Sequence, residues 1–163
     1  MKPGTIVILN GTSSSGKSSI AKLLQSLLPG LFLHLGIDQY FERVPPGFDV
    51  ITDDENVEIS EGMLWLREHG NIIGTRIGEY GCRVFEGIYR SYVGFSRLGV
   101  NIIVDDVIVN PEVLRLAARI LKDLPVYLIG VLCPLPVVEA REAARGDRMP
   151  GLAAAFHSFI NNF

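Results

Sequence analysis

Residues 11–18 form the segment whose chemistry is most directly indicated by the sequence. They read G-T-S-S-S-G-K-S and satisfy every fixed position of the phosphate-binding loop G-x-x-x-x-G-K-[ST]. In such a loop the glycines let the backbone approach a phosphate closely, and successive N–H groups point at the anion from the start of a helix. We therefore predict a nucleotide-binding segment made of Gly11, Thr12, Ser13, Ser14, Ser15, Gly16, Lys17, Ser18 and Ser19.

Two side chains of this loop have separate predicted roles. Lys17 is expected to reach the β and γ phosphates of ATP, and Ser18 is expected to place its hydroxyl on Mg²⁺. The alternative is a turn that only caps a helix, because serine is a common N-cap residue. The complete motif lies between an apolar strand and an amphipathic helix, which favours the nucleotide site.

Three aspartates follow apolar segments and are candidates for the reaction itself. Asp105 and Asp106 follow the predicted strand 100–104, where P-loop enzymes hold magnesium. Successive strand residues face opposite sides, so the two cannot share one role; Asp105 is favoured for the metal and Asp106 comes second. Asp38 follows another short strand, and we predict that it is the general base that accepts the proton of a hydroxyl nucleophile. Capping of a turn or helix is the alternative for each aspartate.

Three arginines recur at positions i, i+4 and i+7. Arg141, Arg145 and Arg148 would share one face if their helix continued, and like charges on one face are unfavourable unless an anion is present. We predict a lid at about 136–150 whose arginines contact the nucleotide, with Arg141 and Arg145 stabilising the transferring phosphoryl group. The alternative is a solvated face on which the arginines pair with Glu139, Glu142 and Asp147.

The elements that must position these residues alternate between strand and helix. Strands are predicted at 6–9, 31–35, 100–104 and 126–133, and helices at 18–28, 82–98, 111–121 and 137–145. Strands that are apolar throughout indicate a mostly parallel sheet covered on both faces, which is a three-layer α/β fold of the P-loop NTPase type. Residues 41–78 break the periodicity and are predicted to be an irregular insertion with room for a small hairpin.

Composition narrows the possible partners. The 163 residues, predicted to form a single domain, carry a net charge of −3 and no run rich in Lys or Arg, which argues against nucleic acid as a partner. The two cysteines lack CxxC spacing, and His34, His69 and His157 are scattered, so zinc and disulfide frameworks are not indicated. No apolar stretch is long enough to span a membrane, and we predict a cytoplasmic protein.

We predict that the insertion, at about 41–80, binds the phosphoryl acceptor, and aromatic residues are concentrated around it. Most are expected in the core, and a subset beside Asp38 would suit an acceptor with an aromatic or apolar body. The candidates are Tyr40, Phe41, Phe48, Trp65, Tyr80, Phe85, Tyr89 and Tyr92.

Four segments together resemble the chloramphenicol phosphotransferase-like family: 8–18, 35–38, 102–106 and 141–148. The resemblance implies a fold similar to nucleotide and shikimate kinases, ATP with Mg²⁺ as donor, and Asp38 as catalytic base. It also implies a small-molecule hydroxyl acceptor, which in the namesake enzyme is the primary hydroxyl of chloramphenicol, inactivated by phosphorylation. Residues 41–76 depart from the family pattern and are expected to determine which acceptor fits.

The C-terminal part also departs from the pattern. Proteins of this family usually continue beyond the position of Phe163 into another strand beside the adenine site. We expect the neighbouring strand to be exposed and nucleotide binding to be weakened unless another subunit covers that strand, which leaves a homo-oligomer open. The alternative to a kinase is an ATP-binding protein without kinase activity, whereas a GTPase is disfavoured because no N-K-x-D segment is present.

Overall fold

The computed structural model describes residues 2–59 and 61–161. Within them, the chain forms two sheets and six helices, and helices alternate with the strands of the larger sheet. The strands are β1 (Ile6–Asn10), β2 (Phe32–Gly36), β3 (Asp49–Thr52), β4 (Met63–Glu68), β5 (Asn71–Ile77), β6 (Asn101–Asp106) and β7 (Val126–Gly130). The helices are α1 (Lys17–Leu27), α2 (Asp38–Phe41), α3 (Glu79–Arg97), α4 (Pro111–Leu121), α5 (Leu135–Arg145) and α6 (Leu152–Asn161).

The main sheet has the order β2-β6-β1-β7, and all its strands are parallel. Alternate strand residues enter two separate cores. On one face, Ile8 and Val104 pack with buried side chains of α3 and α4, whereas on the other face Val7 and Ile103 pack with Ala21 of α1. The predicted three-layer α/β fold with a parallel sheet is therefore confirmed.

The segment predicted to be irregular forms a second sheet of three strands, in the order β3-β4-β5. Strands β4 and β5 are antiparallel, so the small hairpin is confirmed, but the prediction of an otherwise irregular segment was wrong. His69 and Gly70 both have positive φ angles, of 48° and 83°, as a tight two-residue hairpin turn requires. The prolines and acidic residues that suggested irregularity lie mainly in the connections between these strands.

Several element boundaries differ from the predictions. Strand β7 ends at Gly130 rather than Cys133, and β6 continues through both aspartates that were expected to follow it. Helix α6 was not predicted at all. Its buried residues, Ala153, Phe156 and Ile160, are spaced by three and four positions, a helical pattern present in the sequence.

Strand β7 is an edge strand of the main sheet, and its Tyr127, Leu128 and Ile129 are exposed. Both cysteines are free thiols, and Cys82 is exposed on α3. Across residues 2–59 and 61–161, no helix has the length and apolar character needed to cross a bilayer.

The buried carboxylate of Glu142 joins α5 to the start of α6. Its Oε1 accepts a hydrogen bond from the Ala153 N–H (2.7 Å), and its Oε2 accepts one from the Gly151 N–H (2.9 Å). The Thr12 hydroxyl donates to the Ala153 carbonyl at 2.6 Å, so the predicted phosphate loop is attached to the same helix start. Glu142 therefore helps to hold α5, α6 and the loop together.

We predict that Glu142→Ala lowers the free energy of unfolding by about 2–4 kcal/mol, because one buried and one partly buried backbone donor lose a charged, buried acceptor. Urea denaturation followed by circular dichroism measures this loss. Glu139→Ala is the matched control, since Glu139 is exposed on the same helix and should change stability by less than about 0.5 kcal/mol. Equal losses in the two variants would contradict the role given to Glu142.

Candidate functional site

The phosphate loop connects the fully buried strand β1 to α1. Gly16 is the N-cap residue of α1 and has a φ angle of 101°, a left-handed conformation that glycine adopts at little cost. The Gly11 N–H contacts the Asp106 carbonyl at 3.4 Å, which attaches the start of the loop to β6. The loop therefore lies at the carboxyl edge of the parallel sheet, where open α/β sheets bind ligands.

In the structure, Lys17 folds back over the loop. Its Nζ donates to the carbonyls of Gly11 and Thr12, both at 2.9 Å. Desolvation lowers the pKa of Lys17 to about 8, opposed by the negative charges of three aspartates and reinforced by the positive charge of Arg148. A phosphate at this position would stabilise the protonated ammonium group.

One cavity of about 1220 Å³ contains most of the predicted site residues. It is lined by Ser13 to Ser19 of the loop and by Asp38, Asp105, Arg141, Arg145 and Arg148. Gly11, Thr12 and Asp106, which were also predicted, do not line it. Residues that are far apart in the sequence, from the phosphate loop, the start of α2, the end of β6 and the segment 141–148, thus meet around one space.

The two neighbouring aspartates face opposite sides of β6, as expected. Asp105 lines the cavity, whereas Asp106 is fully buried and its Oδ2 accepts a hydrogen bond from the Tyr89 hydroxyl at 2.9 Å. Desolvation raises the pKa of Asp106 to about 6, partly offset by the Tyr89 hydrogen bond. Of these two aspartates, only Asp105 can contact a ligand in the cavity.

Asp38 is the first residue of α2, at the end of β2. The N-cap position belongs to Ile37, and no side chain caps this helix, so the alternative in which Asp38 acts as a cap was wrong. Instead, Asp38 Oδ2 accepts a hydrogen bond from Arg148 Nη2 at 2.6 Å. The carboxylate faces the cavity in a defined orientation.

The three arginines reach the cavity from different parts of the lid. Helix α5 ends at Arg145, where Gly146 adopts a φ angle of 68°, so the single helical face that would have included Arg148 does not form. Arg141 Nη1 lies 3.4 Å from the Ser14 carbonyl of the phosphate loop. Arg145 pairs with Asp147 at 3.1 Å, which is the alternative pairing considered for it.

Apolar and aromatic side chains also line the cavity. Of the eight candidate aromatic residues, Phe41, Trp65 and Phe85 line it and the others do not. The Trp65 indole N–H donates to Asp49 Oδ1 at 2.9 Å, and its ring lies 6.4 Å from that of Phe156. Sequence reasoning missed Phe156 because α6 was not predicted.

Magnesium fits the donors that the chain presents here. No cluster of three or more His, Cys, Asp or Glu side chains suited to a metal occurs in the part of the chain that the structure describes. Mg²⁺ keeps several waters and binds through one or two protein oxygens and substrate phosphates, so a dedicated cluster is not needed. Ser18 and Asp105 both line the cavity and supply a hydroxyl and a carboxylate oxygen.

Comparison with known proteins agrees with this geometry. Residues 4–161 match the model of the family described as "Chloramphenicol phosphotransferase-like protein". The chain is 32% identical over 160 residues to "Putative O-phosphotransferase Rv2636" of Mycobacterium tuberculosis strain H37Rv, an alignment that covers 93% of this chain and 67% of that protein.

Two solved structures share the fold. A sugar kinase from Janibacter sp. HTCC2649 superposes with a TM-score of 0.64 at 15% identity, covering 97% of this chain and 78% of that one. The protein APE1195 superposes with a TM-score of 0.60 at 22% identity, covering 90% of this chain and 74% of that one. At these identities the likeness concerns the fold alone.

We predict that triphosphate affinity falls as the pH rises through about 8, because the free protein then loses the proton of Lys17 that the bound anion requires. Isothermal titration calorimetry between about pH 7.5 and 9.5 measures the trend. Lys17→Met should bind weakly at every pH in this range, whereas Lys17→Arg should keep an affinity that does not change with pH. The same slope in wild type and Lys17→Met would contradict the assignment.

The same shift has the opposite effect on the stability of the ligand-free protein. Above about pH 8 the folded state releases the proton, while the unfolded chain holds it up to about 10.5. The unfolded state therefore binds more protons in this window, and Lys17 makes the free energy of unfolding rise with pH.

Proposed function

The chain belongs to the chloramphenicol phosphotransferase-like family, and from this premise we propose that it transfers the γ-phosphoryl group of ATP to a hydroxyl of a small molecule. Family membership and the O-phosphotransferase relative support a phosphotransferase role. The observation that carries the proposal is the convergence of Lys17, Asp38, Asp105 and the lid arginines on one cavity.

On the donor side, the loop N–H groups and the start of α1 bind the phosphates. Lys17 exchanges its two carbonyl partners for phosphate oxygens, and Arg141 lies against the loop, where it can neutralise charge on the transferring group. Arg145 lines the same cavity, and it has to break its ion pair with Asp147 before it can contact the transferring group. These cations stabilise the negative charge that develops on the leaving oxygen.

Magnesium, when bound, would neutralise part of the negative charge of the nucleotide phosphates. Ser18 and Asp105 are the residues that would hold it, by the fit of their oxygens to this ion. The burial of Asp106 against Tyr89 places that carboxylate outside the cavity, so we propose Asp105 rather than Asp106 as the protein carboxylate.

On the acceptor side, Asp38 is the proposed general base. The acceptor oxygen forms a bond to the γ phosphorus, the bond from that phosphorus to the β-γ bridging oxygen breaks, and ADP leaves. The proton of the acceptor hydroxyl passes to the Asp38 carboxylate. Arg148 orients this carboxylate through the 2.6 Å hydrogen bond to Oδ2, and no hydrogen bond from the described residues reaches Oδ1.

The apolar wall beside Asp38 favours an acceptor with an aromatic or apolar body. Phe41, Trp65, Phe85 and Phe156 present ring surface to the cavity, and a flat apolar group can stack on such surfaces. Chloramphenicol, which the family is named after, is therefore the first acceptor to test, and inactivation of such an antibiotic is part of the proposal.

The test is ADP release from ATP and Mg²⁺ with and without chloramphenicol, followed by a panel of aromatic and aliphatic alcohols. We predict that Asp38→Asn lowers acceptor-dependent turnover by about 10²–10⁴-fold while ATP affinity stays within about 3-fold, because only the proton acceptor is lost. Glu55→Asn, an exposed acidic residue outside the cavity, is the control and should retain turnover.

Two results would contradict the proposal in different ways. Near-wild-type turnover in Asp38→Asn would contradict the base assignment. ATP binding without acceptor-dependent ADP release across the panel would favour the alternative of a nucleotide-binding protein that does not transfer phosphate.

We predict that Trp65→Leu raises KM for an aromatic acceptor by about 5-fold, since one stacking surface is worth about 1 kcal/mol, and leaves ATP affinity unchanged. Steady-state kinetics with each substrate varied in turn measures both. Tyr80→Leu is the matched control, because Tyr80 is an aromatic residue that does not line the cavity. An equal rise in KM for ATP would show that Trp65 supports the fold rather than the acceptor.

A further inference from the structure

Strand β2 places two residues against the Asp105 carboxylate. In the parallel pairing of β2 with β6, Gly36 lies beside Asp105. His34 is two positions earlier, so it projects from the same side of β2 as Gly36. One strand therefore contacts Asp105 through two consecutive residues of that face.

The first contact is made by His34. Its Nε2 lies 3.3 Å from Asp105 Oδ2, and only 18% of the His34 side chain and 11% of the Asp105 side chain are exposed. Nε2 is buried and makes no well-aligned hydrogen bond within the described residues, so the Asp105 carboxylate is the polar group that it faces. His34 does not line the cavity and therefore lies behind the carboxylate.

The second contact depends on the missing side chain of Gly36. A Cβ atom at this position would lie 2.5 Å from Asp105 Oδ1, so a side chain here would force the carboxylate to shift. The backbone of Gly36 does not have a positive φ angle, so the contact with Asp105 rather than the backbone conformation favours glycine. Oδ1 thus lies against Gly36, while Oδ2 faces the imidazole.

We propose that His34 is a positioning residue for the metal, holding the Asp105 carboxylate in one orientation with its Nε2. This inference rests on the proposed function, in which Asp105 helps to hold Mg²⁺. Residues behind a metal ligand commonly fix its orientation, and losing such a partner weakens metal binding by about 10–100-fold. Here the fixing contact is the 3.3 Å approach of Nε2 to Oδ2, a polar contact rather than an aligned hydrogen bond. Asp38 begins α2 shortly after β2 ends, so the same end of this strand positions the proposed base and, through His34, the proposed metal carboxylate.

The test separates a donor from a space-filling role. His34→Leu keeps much of the volume but removes the polar atom, whereas His34→Gln places an amide nitrogen near the position of Nε2. The readout is Mn²⁺ affinity in the presence of ATP, measured from the electron paramagnetic resonance signal of free Mn²⁺. ATP affinity without metal and the thermal midpoint are measured alongside.

We expect His34→Leu to weaken Mn²⁺ binding about 10-fold and His34→Gln to remain within about 3-fold of wild type. ATP affinity without metal should not change in either. In an Asp105→Asn background His34→Leu should add no further loss, because its effect passes through that carboxylate. This last comparison is the matched control, because His34→Leu makes the same change in packing in the wild-type and Asp105→Asn backgrounds.

Three results would overturn the proposal: unchanged Mn²⁺ affinity in His34→Leu, equal losses in the leucine and glutamine variants, or a full additional loss in the Asp105→Asn background. If the leucine variant does not fold, the glutamine variant and Gly36→Ala decide the question. Gly36→Ala pushes Oδ1 away, so normal Mn²⁺ affinity in that variant overturns the proposal. Failure of the proposed function is distinguishable, because a wild type that binds ATP and Mn²⁺ but transfers no phosphate leaves the role of His34 intact.

Discussion

The parallel pairing of β1 with β6 is the constraint on which the rest of the site depends. It places Leu9 beside Asp105 and Asn10 beside Asp106, so the phosphate loop and the proposed metal carboxylate leave the sheet at the same level. The pairing is stabilised on both faces, because the alternate residues of each strand are buried in separate cores. The Asn10 side chain extends it by accepting a hydrogen bond from the Ile108 N–H at 2.9 Å.

Around this edge, each cation has an internal partner. Lys17 is held by loop carbonyls, Arg148 by Asp38 and Arg145 by Asp147. These contacts keep mutually repelling charges ordered before any phosphate arrives, which reduces the reorganisation needed for binding. In the proposed function, each of these cations must break the contact with its internal partner before it can bind a phosphate oxygen. The base is included in this exchange through Arg148, which links the donor and acceptor sides of the cavity.

Local patterns in the sequence predicted the parallel α/β core and the phosphate loop, because a buried strand, a glycine-rich turn and an amphipathic helix follow one another within a short segment. The opposite orientations of Asp105 and Asp106 followed from strand alternation alone, and the structure shows that Asp105, which was favoured for the metal, is the one that lines the cavity. His34 was not found, because nothing in the sequence relates it to Asp105 until β2 pairs with β6. Arg148 reaches the cavity for a reason that a helical pattern cannot provide, namely the left-handed turn at Gly146.

The proposed acceptor wall and the residues proposed for phosphoryl transfer belong to different parts of the fold. Asp38 and Asp105 are fixed by the main sheet, where the Ile37 N–H donates to the Asp105 carbonyl at 3.1 Å. Trp65 belongs instead to the second sheet, which extends the wall beside them. Changes in β3, β4 and β5 would therefore act first on the part of the cavity that Trp65 lines. In the proposed function, the segment that departs from the family pattern is thus the one that forms the acceptor side, while the main sheet holds the proposed transfer residues.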